Sequence, residues 1–311
     1  MSENNAINVC ISCDNNYVKH AGVLIASILS NAKSTDNLVF YILDGGINKI
    51  NKDKILSLKE IKDCEINFTP VDKAQFEDYS RVHTHKYISL PTFYRLKLPT
   101  ILPEVKKIIY LDCDVVVNTS LADLFDIDFD NNILIGVQDI SAKMLKTNPT
   151  YINAGMVVMN LELMRNEATE QKFLEYTKEN IDKIKTGDQE IINEVLKNRI
   201  KVVDKSWNVQ SSNFTNRSCF TKTPKIIHYV SKRKPWHYAS FSVHRDLYFK
   251  YRQLTPWKLD ENTYKHWTKD NQIASLFAYI KYRPFFLFRP KFYYALYQEY
   301  FKNFLKSQKQ I

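Results

Sequence analysis

The opening of the chain alternates between two kinds of apolar spacing, and this limits the available folds more than any other feature of the sequence. "INVCIS", residues 7–12, reads as a buried strand. Val18, Ala21, Leu24, Ile25, Ile28 and Leu29 then recur at helical spacing. "NLVFYILD" reads as a second strand with "DGG" as its turn, and a charged amphipathic helix follows with Ile50, Ile55 and Leu58 facing inward. "CEINFTPV" reads as a third strand closed by Pro70. Strand, helix, strand, helix, strand predicts parallel strands covered by helices, with ligands bound beyond the carboxyl ends of the strands.

Asp14, Asp44 and Asp112 each stand where a predicted strand stops, which suggests a polar rim along one sheet edge. The sharpest case is "KKIIYLDCDVVVN", where an apolar run ends in Asp112, Cys113 and Asp114. Further on come the helical turn "SLADLFD", the strand "ILIGVQD" ending in Asp139, and "NAGMVVMNLELM", a strand running into a helix near Leu161. A helix is predicted over "DQEIINEVLK" with Asp188 near its N-terminus, and "KIIHYV" is a last strand bearing His228.

Two aspartates at i and i+2 on a strand point the same way and repel, so one binds a proton unless a cation sits between them. A hard divalent ion resolves this. Mg²⁺ or Mn²⁺ prefers oxygen ligands, and a remote histidine would tilt the choice toward Mn²⁺. A second acidic run, "DIDFD" at 126–130, lacks the glycine and distal glutamate of a calcium loop and reads as a solvated turn. "HYVSKRKPWH" places Lys234 six residues after His228, as a mobile point charge suited to phosphate. "CDNNY" sets carboxylate, amide and phenol groups between the first strand and helix, a seat for a nucleoside. "ISLPTFYRL" carries Arg95 in a predicted helix after Pro91.

Composition excludes several classes. Five cysteines at 10, 13, 64, 113 and 219 are odd in number and spread out, which fits a reducing compartment rather than a disulfide framework. Cys10 and Cys13 form a C-x-x-C read as small packed residues of a strand. With no secretory leader and no run long enough to span a bilayer, the chain is expected in the cytoplasm. The net charge is +10, and residues 276–311 hold seven Lys or Arg against one Glu, mixed with aromatics. That tail suits attachment to an anionic membrane surface, or alternatively an aromatic helical cap over the fold. A nucleic-acid module would also be basic, but it gives no reason for acidic strand ends, so no nucleic-acid partner is expected.

The ordered set "CDNNY", "ISLPTFYRLKLP", "KIIYLDCDVVV", "NAGMVVMNL", "DQEIIN" and "HYVSKRKPWH" resembles glycosyltransferase family eight, over roughly residues 7–240. It looks most like the bacterial lipopolysaccharide and lipooligosaccharide galactosyl- and glucosyltransferases. The resemblance implies an α/β fold of the GT-A type, a nucleotide-sugar-binding mixed sheet flanked by helices. The catalytic, donor- and metal-binding domain would occupy 1–240, with a basic, aromatic, helical appendage over 241–311. It implies a UDP-hexose donor, Mn²⁺ (with Mg²⁺ as the substitute) and retention of anomeric configuration. Asp112, Asp114 and His228 match the metal ligands. Asp14, Asn16 and Tyr17 match the uracil and ribose seat, and Arg95 matches a donor-contacting arginine. Asn153, Ala154, Asp188 and Gln189 match the wall around the donor sugar, Lys234 matches a lysine on the diphosphate, and Asp139 a carboxylate nearer the acceptor. Cys113 falls among the donor-binding residues, as does Ser231, which stands where the family usually has glycine. The catalytic candidates are Gln189, Asp188 and Asp139. The acceptor would be a lipid-linked oligosaccharide, which places the protein on the inner face of the bacterial inner membrane. An inverting transferase, a nucleotidyltransferase on a similar sheet and a sugar-nucleotide binder without activity remain as alternatives.

Overall fold

The computed structural model describes residues 6–82, 90–141, 148–211, 223–230, 234–237, 240, 242–265, 287–288 and 293. Ser231, Cys219 and nearly all of the basic tail at 276–311 therefore lie outside the described residues.

Seven strands form the main sheet: β1 (Ile7–Cys13), β2 (Leu38–Asp44), β3 (Glu65–Pro70), β4 (Lys107–Leu111), β6 (Leu134–Gln138), β7 (Ile152–Asn160) and β8 (Ile200–Val202). Their spatial order is β3-β2-β1-β4-β7-β6-β8. β3, β2, β1 and β4 pair in parallel, β7 is antiparallel to both β4 and β6, and β8 is parallel to β6. Only β7 runs backwards, so its first residues meet the carboxyl ends of β4 and β6 at one edge. A second sheet joins β5 (Val115–Val117), β10 (Ile226–His228) and β9 (Val209–Gln210), with β10 between the other two.

Side-chain alternation on β1 divides the core. Ile7, Val9, Ile11 and Cys13 pack with helix α1 (Val18–Asn31), whereas Cys10 packs on the opposite face with Leu43, Ile108 and Tyr110. Cys10 and Cys13 therefore point to opposite sides of the sheet and are both free thiols, in accord with a packing role. A third apolar cluster joins Val23 of α1, Val116 of β5 and Ile227 of β10 to Tyr248, Phe249 and Tyr251 of helix α5 (Arg245–Arg252). Packed between the main sheet on one side and the small sheet with α5 on the other, α1 is apolar nearly all round. Two further helices, α3 (Thr169–Asn180) and α4 (Asp188–Val195), lie over the β4–β7 part of the main sheet.

Two expectations need correction. In α2 (Lys49–Leu56) Ile55 is buried, as is Leu58 in the turn that follows, but Ile50 is 68% exposed. Five residues separate positions 50 and 55, about 140° round a helix, so both cannot face one core. Arg95 lies in a 3₁₀ segment, Leu90–Lys97, not an α-helix. The stretch has Pro91 as its second residue and Pro99 just beyond its end, neither of which can donate to an i→i−4 ladder.

Candidate active site

Asp112 and Asp114 do not project from one strand. Asp112 follows β4 of the main sheet, Asp114 precedes β5 of the small sheet, and Cys113 is the turn between them. The acidic pair converges because the chain changes sheets there. Backbone bonds fix both sides: Asp112 N–H donates to Gly155 O of β7 at 2.9 Å, and Tyr229 N–H donates to Asp114 O at 3.0 Å. The buried Cys113 Sγ bonds to Ser12 O at 3.2 Å. His228 ends β10, which is antiparallel to β5 with His228 opposite Val115, so it arrives beside Asp114.

Asp112, Asp114 and His228 each offer a ligand atom, and these atoms lie within 4.8 Å of one another. His228 Nε2 is 3.2 Å from Asp114 Oδ1 and 3.9 Å from Asp112 Oδ2. Its other nitrogen, Nδ1, lies 2.9 Å from Asn153 Oδ1. That oxygen also accepts from Gly155 N–H, so Nδ1 carries a proton, and it is the lone pair of an unprotonated Nε2 that would face the carboxylates. Asp114 Oδ1 is buried and has no hydrogen-bond donor. Two carboxylate oxygens and an imidazole lone pair facing one another, without a donor among them, fit a divalent cation that accepts both oxygen and nitrogen. Gly155 makes room for this arrangement. A Cβ there would collide with the His228 ring, 2.7 Å from Nδ1, and lie 2.8 Å from Asp112 Oδ2.

The outer oxygens of the pair meet the protein's own cations. Arg95, 1% exposed, places Nη2 2.5 Å from Asp112 Oδ1 and Nε 3.0 Å from Asp188 Oδ2. Its Nη1 donates to Ala154 O, its Nε to Thr92 O, and its guanidinium lies over the Tyr110 ring at 4.1 Å. Lys234 Nζ donates to Asp114 Oδ2 at 2.5 Å and to Tyr229 O at 2.7 Å. Burial alone would raise the Asp114 carboxyl, but the Lys234 ammonium beside it holds it well below the usual carboxylate range. Burial pushes Asp188 up to about 6 against the pull of Arg95. Asp188 Oδ2, although near Arg95 Nε, has no hydrogen bond.

Around the triad lies a cavity of about 720 Å³, lined by Asp14, Asn16, Tyr17, Arg95, Asp112, Cys113, Asp114, Asn153, Ala154, Asp188, Gln189, His228 and Lys234 among others. The sequence-derived site is thus brought together, apart from three residues. Asp139 lies one layer back, 3.3 Å from Asn153 Nδ2 and 3.4 Å from Gln189 Nε2. Ser231 lies outside the described residues. Asp44, read as part of the rim, is a turn cap: it accepts from Gly46 N–H and Ile47 N–H and pairs with Lys52 at 2.5 Å. Asp14 Oδ1 likewise accepts from Asn16 N–H and Tyr17 N–H, which shapes the β1–α1 loop and leaves its second oxygen for the cavity. Gln189 Oε1 accepts from Asn153 Nδ2 and Ala154 N–H. Gly155 was not legible as a site residue, since it acts through a contact distant in sequence.

The family model for glycosyl transferase family 8 matches residues 8–240. A Haemophilus influenzae protein carrying a glycosyltransferase designation is 31% identical over 245 residues, 74% of this chain and 73% of its own. The lipopolysaccharide 1,2-glucosyltransferase of Escherichia coli is 25% identical over 312 residues, 92% of this chain and 89% of its own. Among solved structures, galactosyltransferase LgtC, in complex with donor and acceptor sugar analogues, superposes with a TM-score of 0.72 over 82% of this chain and 98% of LgtC, at 22% identity. The bifunctional glycosyltransferase WbbM superposes with a TM-score of 0.67 at 26% identity over 83% of this chain, which spans about half (51%) of WbbM. The seven-stranded mixed sheet flanked by helices therefore has the fold of these solved glycosyltransferases, the GT-A arrangement expected from the motifs.

Proposed function

The chain belongs to glycosyl transferase family 8, and from that premise we propose that it is a retaining hexosyltransferase that moves galactose or glucose from a UDP-sugar, with Mn²⁺, to a saccharide acceptor. The observation that carries this reading is the Asp112–Asp114–His228 cluster, with its donor-free buried oxygen, lining a cavity of nucleotide-sugar size. The Escherichia coli relative's name supports a place in lipopolysaccharide or lipooligosaccharide core synthesis.

When bound, the ion would supply positive charge where a leaving diphosphate becomes negative. The remaining work falls to the chain's own residues. Asp112, Asp114 and His228 would hold the ion without filling its coordination sphere. Lys234, on its flexible stem, is placed to turn from Asp114 Oδ2 to a phosphate oxygen. Asp14, Asn16 and Tyr17 would seat the nucleoside, and Asn153 and Ala154 would wall the sugar. Asp188, which lines the cavity, would accept from sugar hydroxyls and stabilise oxocarbenium character. Gln189 is a poor nucleophile: it is neutral, and its Oε1 is already occupied by two donors. The reading is therefore front-face attack by the acceptor hydroxyl, its proton passing to the departing phosphate oxygen. A glycosyl adduct trapped on Asp188 or Asp139 would replace this with double displacement.

The direct test is donor hydrolysis. Incubation with a panel of UDP-sugars should release UDP with Mn²⁺ and far less after chelation; metal-independent release across the panel would sink the proposal. The basic segment 276–311 would attach the protein peripherally to the anionic inner face of the inner membrane, next to a lipid-linked acceptor. No helix among the described residues is long and apolar enough to cross a membrane.

A further inference from the structure

We propose that Asn208 is a positioning residue for the metal ligand His228, acting through Asn153. This rests on reading the Asp112–Asp114–His228 cluster as a metal site.

Asn153, 8% exposed and second in β7, is the hub. Its Oδ1 accepts from Gly155 N–H at 3.2 Å, from Asn208 Nδ2 at 3.1 Å and from His228 Nδ1 at 2.9 Å. Its Nδ2 donates to Gln189 Oε1 at 3.1 Å and to Asp139 Oδ2 at 3.3 Å. Backbone N–H groups can only donate: Gly155 N–H marks Asn153 Oδ1 as the acceptor, and Ala154 N–H marks Gln189 Oε1 as the acceptor that Asn153 Nδ2 meets, so both ends of the amide agree on its orientation. His228 Nδ1 must then be the N–H, and Nε2 is left with the lone pair a metal needs.

Asn208 is placed for this role by the small sheet. It ends the turn Lys205–Asn208 and precedes β9, which pairs with β10 so that Val209 lies beside Ile227 and Gln210 beside His228. Its side chain reaches out of that sheet to Asn153 of the main sheet, in parallel with His228 itself. The three residues join the two sheets next to the ligand cluster.

The energetics argue against a purely structural role. Asn208 is 2% exposed, and its Oδ1 is buried with no hydrogen-bond partner. An apolar residue of similar size would avoid that orphan oxygen. What an apolar residue cannot supply is the Nδ2 donor to Asn153, which opposes an amide flip that would reverse the His228 tautomer.

Two measurements test this. In metal-free wild type, ¹⁵N NMR of the neutral His228 imidazole should report a proton on Nδ1; a proton on Nε2 overturns the proposal whatever the metal data say. Mn²⁺ binding, followed by electron paramagnetic resonance of free Mn²⁺, should weaken about 10–100-fold in Asn208→Leu and Asn208→Asp, the usual range for a residue behind a ligand. Asn208→Leu should keep or gain thermal stability while it loses affinity. Wild-type Mn²⁺ affinity in either folded variant overturns the proposal, as does a loss of stability without a loss of affinity. His228→Ala separates this from the underlying reading. If that variant also binds Mn²⁺ like wild type, the cluster is not the metal site, and the proposal falls with that reading rather than on its own account.

Discussion

Arg95 and Asp188 are where burial and charge decide most at the residue scale. The two aspartates at the end of β4 lack a cation nearby in sequence, yet in the fold Arg95 reaches Asp112 and Lys234 reaches Asp114. Arg95 is fully buried, so removing it strands two carboxylates rather than one surface contact. Arg95→Met is expected to lower unfolding free energy by about 3–5 kcal/mol, measured by urea denaturation; a loss within about 0.5 kcal/mol, typical of surface sites, would contradict the account. Asp188 makes a pH prediction. Its folded value of about 6 exceeds the ordinary 3.8, so the folded chain holds the proton more tightly than the unfolded one. Its contribution is therefore most favourable below about pH 4, worsens as pH rises to about 6 and is level beyond, with a slope on the order of 1.4 kcal/mol per pH unit inside that window. Stability curves of wild type and Asp188→Asn should diverge there in the variant's favour as pH rises, and parallel curves would refute the burial argument.

At the scale of elements, the site depends on one reversed strand and one change of sheet. β7 brings Asn153, Ala154 and Gly155 to the carboxyl ends of β4 and β6 because it alone runs antiparallel in the main sheet. Asn193 ties α4 to that strand through Ile152 N–H and Ile152 O, which sets Asp188 and Gln189 over the cavity. Gly155 leaves space for the His228 ring, and Gly155→Ala is expected to cost about 1–3 kcal/mol of stability by overpacking and to weaken Mn²⁺ binding at least about tenfold. A folded Gly155→Ala protein with wild-type Mn²⁺ affinity would show that the close packing is not needed. Much of this scale was legible beforehand. Strand and helix periodicity located β1 to β4, β7 and α4, because each buries a continuous apolar face. Ile50 was misplaced because α2 is short and polar, with little stripe to read. The end of the apolar run at the aspartates was legible, but not that the "VVV" strand after them joins a second sheet, because its partner β10 is distant in sequence. Gly155, Asn193 and Asn208 act through partners distant in sequence, which periodicity does not encode.

At the scale of the whole molecule, charge is unevenly shared. The chain carries +10 overall, while the cavity wall carries the carboxylates of Asp14, Asp112, Asp114 and Asp188. An acidic site in a basic protein is suited to an anionic donor only once a cation is bound. On the proposed reading, the basic residues of 276–311 would meet another anionic surface. Deleting that segment should abolish sedimentation with acidic liposomes while leaving donor hydrolysis in solution intact, and unchanged sedimentation would remove the membrane reading. The central claim is narrower: a dication held by Asp112, Asp114 and His228 joins the protein to a diphosphate. Calorimetry of UDP binding to chelator-treated and Mn²⁺-loaded protein tests it most directly. The account predicts binding at least about tenfold tighter with the metal, a difference of about 1.4 kcal/mol or more, and equal affinity in the two states would contradict it.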